Sequence, residues 1–353
     1  MKRNYILPLF LIFQIIFLKI ISFFPNVIER FYSNGMYTFI SKITRTVFGQ
    51  IPFSIGDILY LVLILWILKC LYKSRTSWKL NFKNTFLNFL SFLSILYFAF
   101  HLLWGLNYYR VPLFKKMNLK KEYSEADLLQ FTDKLITKTN AIQFQITHNK
   151  NLKVQVPLSQ DSLFKMAQNG YDNLAIEYSF FKYKIPSIKK SLFSLPLTYM
   201  GFGGYLNPFT NEAQVNYKVP IDGFAMVVNH EMAHQMGYAS ESECNFIGFL
   251  ASVKNDNLYF KYADYSLALK YSLKNIEALQ GDKVKVYFDK INSGIIKNYK
   301  DDKLFWQSYH TFIDVGFELF YDTFLKLNQQ QDGLESYSKF IDLLINYYKN
   351  KSF

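Results

Sequence analysis

The sequence predicts an α+β protein: a mostly helical domain with a small sheet, preceded by three transmembrane helices. Three observations carry this reading. Three long apolar runs stand near the amino terminus. Beyond them, apolar residues recur at the helical period over most of the chain. One glycine-rich stretch, Gly201 to Tyr217, turns and alternates in the manner of two short strands.

Composition fits an anchored protein. Of 353 residues, half are hydrophobic and 19% aromatic, which is high for a soluble enzyme. Net charge is +13, yet the lysines are scattered and form no arginine-rich block, so no nucleic-acid partner is expected. The two cysteines, Cys70 and Cys244, cannot make a disulfide framework.

The first run, Ile6 to Phe24, is long enough to cross a hydrocarbon core of ~30 Å at about 1.5 Å per residue. A cleaved signal peptide would also begin with basic residues such as Lys2 and Arg3, but no small-residue cleavage site follows. The second run, Ile58 to Leu68, is shorter and must borrow Ile51 to Gly56. Phe86 to Trp104 is the third. Between the second and third stand Lys69, Lys73, Arg75, Lys79 and Lys83 with no acidic residue, whereas the first loop dilutes Arg30, Lys42 and Arg45 with Glu29. The positive-inside rule then places the basic loop and the amino terminus in the cytoplasm and everything after Tyr108 outside the cytoplasmic (inner) membrane. The chain divides accordingly into a membrane anchor, residues 1–108, and an extracytoplasmic domain, residues 109–353. Asp57, Lys19 and His101 lie toward span ends, where such side chains are expected to snorkel outward.

In the outer domain, Ser124 and Asp127 spell a near capping box ahead of a helix. Asp161 to Phe181 reads as a second helix, and Leu192 to Met200 as strand-like. Past Pro220 helices are expected over Leu258–Leu279, Lys283–Tyr299, Leu304–Leu327 and Leu334–Tyr348.

The chemistry is concentrated in "VVNHEMAHQMGYASESECNFIGFL", Val227 to Leu250. On a helix, His230 and His234 lie one turn apart on one face and can ligate one metal ion. Glu231 sits about 100° around the axis, placed to act on a water without ligating. Zinc lowers the pKa of its water toward ~7, and the glutamate then serves as general base. With five histidines in the chain, chance produces this spelling in well under about one chain in a hundred. The competing readings are a surface helix with an accidental histidine pair and a metal-binding scaffold without turnover.

A third ligand is sought at Glu241 or Glu243. In an unbroken helix Glu241 would share the histidine face but lie about 10 Å along the axis, so the chain must turn at Gly237. Ser240 would then cap the returning helix and place Glu243 at its third position, where it could also merely close a capping box. Ahead of the motif, "GFGGYLNPFTNEAQVN" supplies an edge strand for an extended substrate, with Tyr205, Asn207, Thr210 and Asn216 as candidate substrate-binding residues. A structural hairpin is the alternative. Oxyanion stabilisation calls for a Tyr or His outside the motif, with His310, Tyr321 and Tyr337 as candidates.

The three runs, "WGLNYYR" (Trp104–Arg110), "YLNPFTNEAQVN" (Tyr205–Asn216), "HEMAHQMGYASESECNF" (His230–Phe246) and "GLESYSKFIDLL" (Gly333–Leu344) together resemble an uncharacterised family of bacterial membrane proteins, domain of unknown function 3810. The resemblance covers essentially the whole chain. It implies a zincin-like domain with a gluzincin-like site, His230, His234 and Glu243 on the metal and Asn245 and Phe246 behind Glu243. The third histidine of a metzincin would fall at Ser240, which cannot replace it. The expected function is a membrane-anchored, Zn2+-dependent metallopeptidase-like hydrolase, Glu231 its catalytic base and a peptide or protein its substrate. The alternatives are a non-catalytic membrane scaffold with structural zinc, or a hydrolase of cell-wall peptide amides. Besides substrate, the partner implied is the lipid bilayer; the sequence names neither the substrate nor the oligomeric state.

Overall fold

The computed structural model describes residues 5–75, 80–349 and 351. Lys2, Arg3 and Lys79, used above for orientation, lie outside the described residues.

The first apolar run forms α1, Ile6–Ile21, of 16 residues. It stops short of Phe24 because Pro25 opens the next helical turn at its first position, and the chain bends there by 100°. The stretch expected as a loop is helical instead. A π-helical segment, Ile28–Met36, runs directly into α2, Tyr37–Gly49. Next come α3, Ile55–Ser74, and α4, Phe82–Leu103. Ser54 caps α3 by accepting the Asp57 amide at 2.9 Å, which starts the helix ahead of the expected Ile58. Among the described residues, α3 and α4 are the two helices long and apolar enough to cross a membrane. The expectation of three is thereby corrected to two; α1 makes a third only if it and the bent segment after it count as one crossing.

Beyond the spans lie α5, Glu125–Thr147, and α6, Gln160–Glu177. Ser124 and Asp127 do form the capping box ahead of α5. The segment that carries the histidine pair builds α7, Ile221–Gln235, and α8, Glu241–Lys254, followed by α9, Leu258–Gln280. The expected helices from 283 onward are shorter: α10 is Ser293–Ser308, α11 Phe312–Leu327 and α12 Phe340–Tyr348. Thr311 divides α10 from α11 because it closes a capping box with Asp314, and a cap starts a new helix.

Three short strands form the sheet: β1, Ile188–Lys190, β2, Gly204–Leu206, and β3, Ala213–Val215. Their order is β1-β3-β2, with β1 parallel and β2 antiparallel to β3. The expected hairpin is therefore present, with Tyr205 opposite Gln214. Leu192 to Met200 is not strand but carries a helical turn, Ser194–Tyr199. The Ser191 hydroxyl accepts the Phe193 amide at 3.0 Å and bends the chain away from the sheet just after β1.

α7 and α8 are buried nearly all round, with Phe224, Val228, Met232, Phe246, Phe249 and Leu250 inside one core that α9 joins through Phe260 and Leu269. A helix apolar on every side belongs in the centre of a domain, and the histidine motif sits there.

The spans are locked into this domain. Asp57 is fully buried, not snorkelling as its position suggested. Its carboxylate accepts from the Ser191 hydroxyl at 3.0 Å and the Leu192 amide at 2.6 Å, and from the Tyr205 hydroxyl. His101 is also buried, its Nδ1 paired with the Tyr97 carbonyl at 2.9 Å, whereas Lys19 is exposed as expected. Glu212 accepts the Gly56 amide at 2.6 Å, and Tyr37 donates to the Gln235 carbonyl at 3.0 Å at the end of α7.

Candidate metal centre

His230 and His234 lie on one face of α7, their Nε2 atoms 3.0 Å apart. Gly237, at φ +82°, ends the helix in the left-handed region. A Cβ there would meet the Tyr37 ring at 2.8 Å, so both conformation and space call for glycine. The chain reverses, and α8 begins at Glu241 beside the histidines. Glu241 Oε2 stands 3.1 Å from His230 Nε2 and 3.5 Å from His234 Nε2.

Both Nδ1 atoms are already engaged. His230 Nδ1 pairs with Asn245 Oδ1 at 2.7 Å, and His234 Nδ1 with the Tyr238 carbonyl at 2.8 Å. Asn245 is oriented by its amide, which donates to the Tyr337 carbonyl at 3.0 Å. Two oxygen acceptors place the ring protons on Nδ1 and leave lone pairs on both Nε2 atoms. Two lone pairs and a carboxylate then converge, an arrangement that a cation relieves. A proton on an imidazole is one such cation, and its charge outweighs burial to hold the Glu241 carboxyl below the ordinary range.

The donors fit zinc. Ligands about 2.0–2.1 Å from a tetrahedral ion stand roughly 3.3 Å apart, which the separations of 3.0, 3.1 and 3.5 Å match. His230, His234 and Glu241 form the one group of three such residues able to share an ion among the described residues. Cys244 is close to His234, its sulfur 3.2 Å from Nδ1, but burial pushes its thiol up to about 12, so it stays protonated and supplies no thiolate.

Glu243, preferred in the sequence reading, is not brought to this group. It accepts the Leu113 amide at 2.6 Å, and burial pushes its carboxyl up to about 7. Two residues along a helix are about 200° apart, so only one of the two glutamates can face the histidines. Nor does Glu243 close a capping box, since the Ser240 side chain makes no cap and pairs with the Ser242 hydroxyl at 2.9 Å.

Glu231 is 3% exposed and its Oε2 has no hydrogen-bond partner. Burial pushes its carboxyl up to about 7, against the pull of the two histidines. Its other oxygen lies against the β2 backbone: a Cβ on Gly204 would stand 2.8 Å from Glu231 Oε1 and 2.6 Å from the Gln214 carbonyl. Both His230 and Glu231 line a cleft of about 480 Å³, together with residues 201–204 and with Tyr262, Tyr299 and Tyr337.

The four candidate substrate residues do not line this cleft. Tyr205 donates to Asp57, and Asn207 accepts the Phe209 and Thr210 amides at 3.0 and 3.1 Å in its own turn. The Thr210 hydroxyl donates to Glu212 at 2.9 Å, and the Asn216 amide to the Thr198 hydroxyl and Phe202 carbonyl, each at 2.9 Å. They shape the hairpin, and it is the chain just ahead of them, residues 200–204, that lines the cleft.

Of the oxyanion candidates, Tyr321 and Tyr337 are at the site. Tyr321 donates to Glu241 Oε1 at 2.9 Å, and the Tyr337 ring stacks on His230 at 6.1 Å. Burial, then the charge of Glu241, push both phenols well above their ordinary range and keep them as neutral donors. His310 is exposed and pairs with Asp314 at the start of α11.

Sequence reasoning gave no role at the histidines to three neighbours, of which Asn245 was named only as standing behind Glu243. Asn245 is one turn beyond Glu241 on α8, and that i, i+4 spacing was the available signal. Trp104, at the outer end of α4, donates to the His234 carbonyl at 3.4 Å. Asp264 on α9 is 1% exposed, has one oxygen without a partner, and is pushed by burial up to about 7. Trp104 opens the "WGLNYYR" block, but nothing in that block ties it to the histidines, and nothing local marks Asp264.

No curated protein and no solved structure matches this chain. Residues 32–345 match the family described as Protein of unknown function (DUF3810), and the chain belongs to that family.

Proposed function

We propose that this protein is a membrane-anchored, zinc-dependent hydrolase of peptide bonds, with His230, His234 and Glu241 as the metal ligands. The observation that carries the reading is the convergence of two imidazole lone pairs and one carboxylate beside Glu231, a buried carboxylate with a free oxygen at the cleft. Bound there, zinc would supply a Lewis acid that activates water and polarises a carbonyl. Glu231 takes the proton of the attacking water and delivers it to the leaving amine through the oxygen left without a partner at the cleft. Tyr321 donates to Glu241 Oε1 and holds that ligand in place, and Tyr337, also held neutral, donates to the oxygen on which charge develops. The free edge of β2 and the glycine backbone beside it receive an extended chain by main-chain hydrogen bonds.

Three protein ligands beside a cleft favour a catalytic site over a structural one, which takes four. That weighs against a scaffold with structural zinc. A cell-wall peptide amide would use the same machinery. The domain is placed outside the cytoplasmic membrane, with the loop between α3 and α4 inside. The test is metal analysis of the purified full chain together with peptide cleavage by the parent and Glu231→Gln. One zinc in both, with cleavage only by the parent, is expected; a parent that holds no zinc overturns the reading.

A further inference from the structure

α11 turns its apolar side outward. Phe312 is 87% exposed, Leu319 70%, Phe320 62% and Leu327 75%. At 100° per residue they share one arc with Val315 and Gly316, broken by a single charge, Lys326. Its inner face carries Phe317 and Tyr321, which pack on Phe202 at the rim of the cleft, and Glu318 lines the cleft itself. A stripe of this kind on a helix signals a surface that something covers.

Two contacts say what covers it. Phe324 of α11 packs on Phe100, in the last turn of α4, at 6.4 Å between ring centroids. Just after β1, the Leu192 amide donates to Asp57, in the first turn of α3, at 2.6 Å; Leu192 and Leu195 are 58% and 46% exposed. The α11 rim of the cleft thus joins the end of one candidate span and the segment after β1 joins the end of the other, and each carries exposed leucine or phenylalanine.

We propose that α11 is seated in the surface of the bilayer that α3 and α4 cross, so that the cleft opens at the membrane. An amphipathic helix in this position buries its apolar face about 5–10 Å into the headgroup boundary. The inference rests on the reading of α3 and α4 as spans and needs no hydrolysis. Joined to the proposed function, it makes the substrate a polypeptide held at the membrane surface.

The test uses the full chain in phosphatidylcholine–phosphatidylglycerol nanodiscs, with Cys70→Ser removing the exposed thiol and Cys244 left buried. Leu319→Cys and, separately, Phe320→Cys carry an environment-sensitive fluorophore; Ile176→Cys, at an 86% exposed site on α6, is the control. Expected are blue-shifted emission at 319 and 320, quenching there by lipids with nitroxide on the acyl chain, and quenching of the control by aqueous iodide. Iodide quenching at 319 and 320 equal to the control overturns the proposal. So does shielding from both quenchers, which would mean that protein, such as a second copy of the chain, covers the stripe. None of these readouts involves catalysis, so failure here and failure of the hydrolase reading are separable.

Discussion

Glu241 and Glu243 stand on different sides of α8, and only Glu241 faces the histidines. Its carboxylate lies 3.1 Å from His230 Nε2, while that of Glu243 accepts the Leu113 amide at 2.6 Å. Glu241→Ala should therefore abolish tight zinc binding, and Glu243→Gln should keep one zinc per chain. Asn245→Leu removes the acceptor that fixes the His230 tautomer and should weaken zinc by about 10–100-fold. Zinc titration against a competing chelator reads all three. Retention of tight zinc by Glu241→Ala would return the assignment to Glu243.

The proposed general base is separable from the proposed ligands. Glu231→Gln should keep zinc and lose at least ~10² in turnover. Gly204→Ala reaches the same group indirectly, because its Cβ would stand 2.8 Å from Glu231 Oε1. It should also lower turnover with zinc retained. Full activity in Glu231→Gln would show that another group takes the proton.

Much of this was legible in the sequence, and the failures have physical causes. The Ser124 capping box, the hairpin and the histidine face follow from local rules, which need only neighbours in the chain. The choice between two glutamates did not, because it depends on the direction in which α8 returns across α7. Tyr205, Asn207, Thr210 and Asn216 looked like substrate contacts because polar residues at a hairpin resemble a binding edge. Their side chains are instead engaged by Asp57, Glu212, Thr198 and neighbouring backbone, with Asn207 Nδ2 alone left without a partner. Asp57 was read as a snorkelling end residue because its partners, at Ser191, Leu192 and Tyr205, are more than a hundred positions away.

Asp264 gives the protein a pH dependence of its own. Burial raises its carboxyl from 3.8 to about 7, so between those values the folded protein binds a proton that the unfolded chain has lost. Stability contributed by that proton is complete below 3.8, declines as pH rises through the window, and is gone above about 7. A proton bound by the folded protein alone is worth about 1.4 kcal/mol for every pH unit of that window, so the effect is on the order of a few kcal/mol. Asp264→Asn cannot titrate and should melt with a flatter profile between pH 5 and about 8. Parallel melting curves for parent and variant across that range would show that Asp264 does not titrate there.

Topology is tested with reporters. A fusion after Asn84, near the start of α4, should behave as cytoplasmic, and one at the carboxyl terminus as exported. A fusion at the amino terminus decides what α1 does. Its 16 residues reach only about 24 Å by themselves. A cytoplasmic amino terminus means that α1 and the bent segment after it complete a crossing, and an exported one leaves α3 and α4 as the only spans. A carboxyl terminus found inside overturns the proposed orientation.

The last prediction concerns how the spans hold the site. Asp57 lies in the first turn of α3 and gathers the Ser191 hydroxyl, the Leu192 amide and the Tyr205 hydroxyl on one buried carboxylate. These donors come from the chain just after β1 and from β2, the strand that packs against Glu231. Removing the carboxylate leaves three donors short of an acceptor, the Ser191 hydroxyl buried and the other two partly so, at up to about 1–3 kcal/mol each. Against a total stability of ~5–15 kcal/mol, that is a large fraction. Asp57→Ala should lower the melting temperature of the protein in nanodiscs and reduce turnover, because β2 loses its tie to α3. Zinc stoichiometry should hold, since none of the three ligands touches Asp57. Asp57→Asn keeps one acceptor oxygen in place and should fall between the two. An Asp57→Ala protein that melts with the parent would show that β2 is held by its sheet partner alone, and that the membrane helices serve only as an anchor.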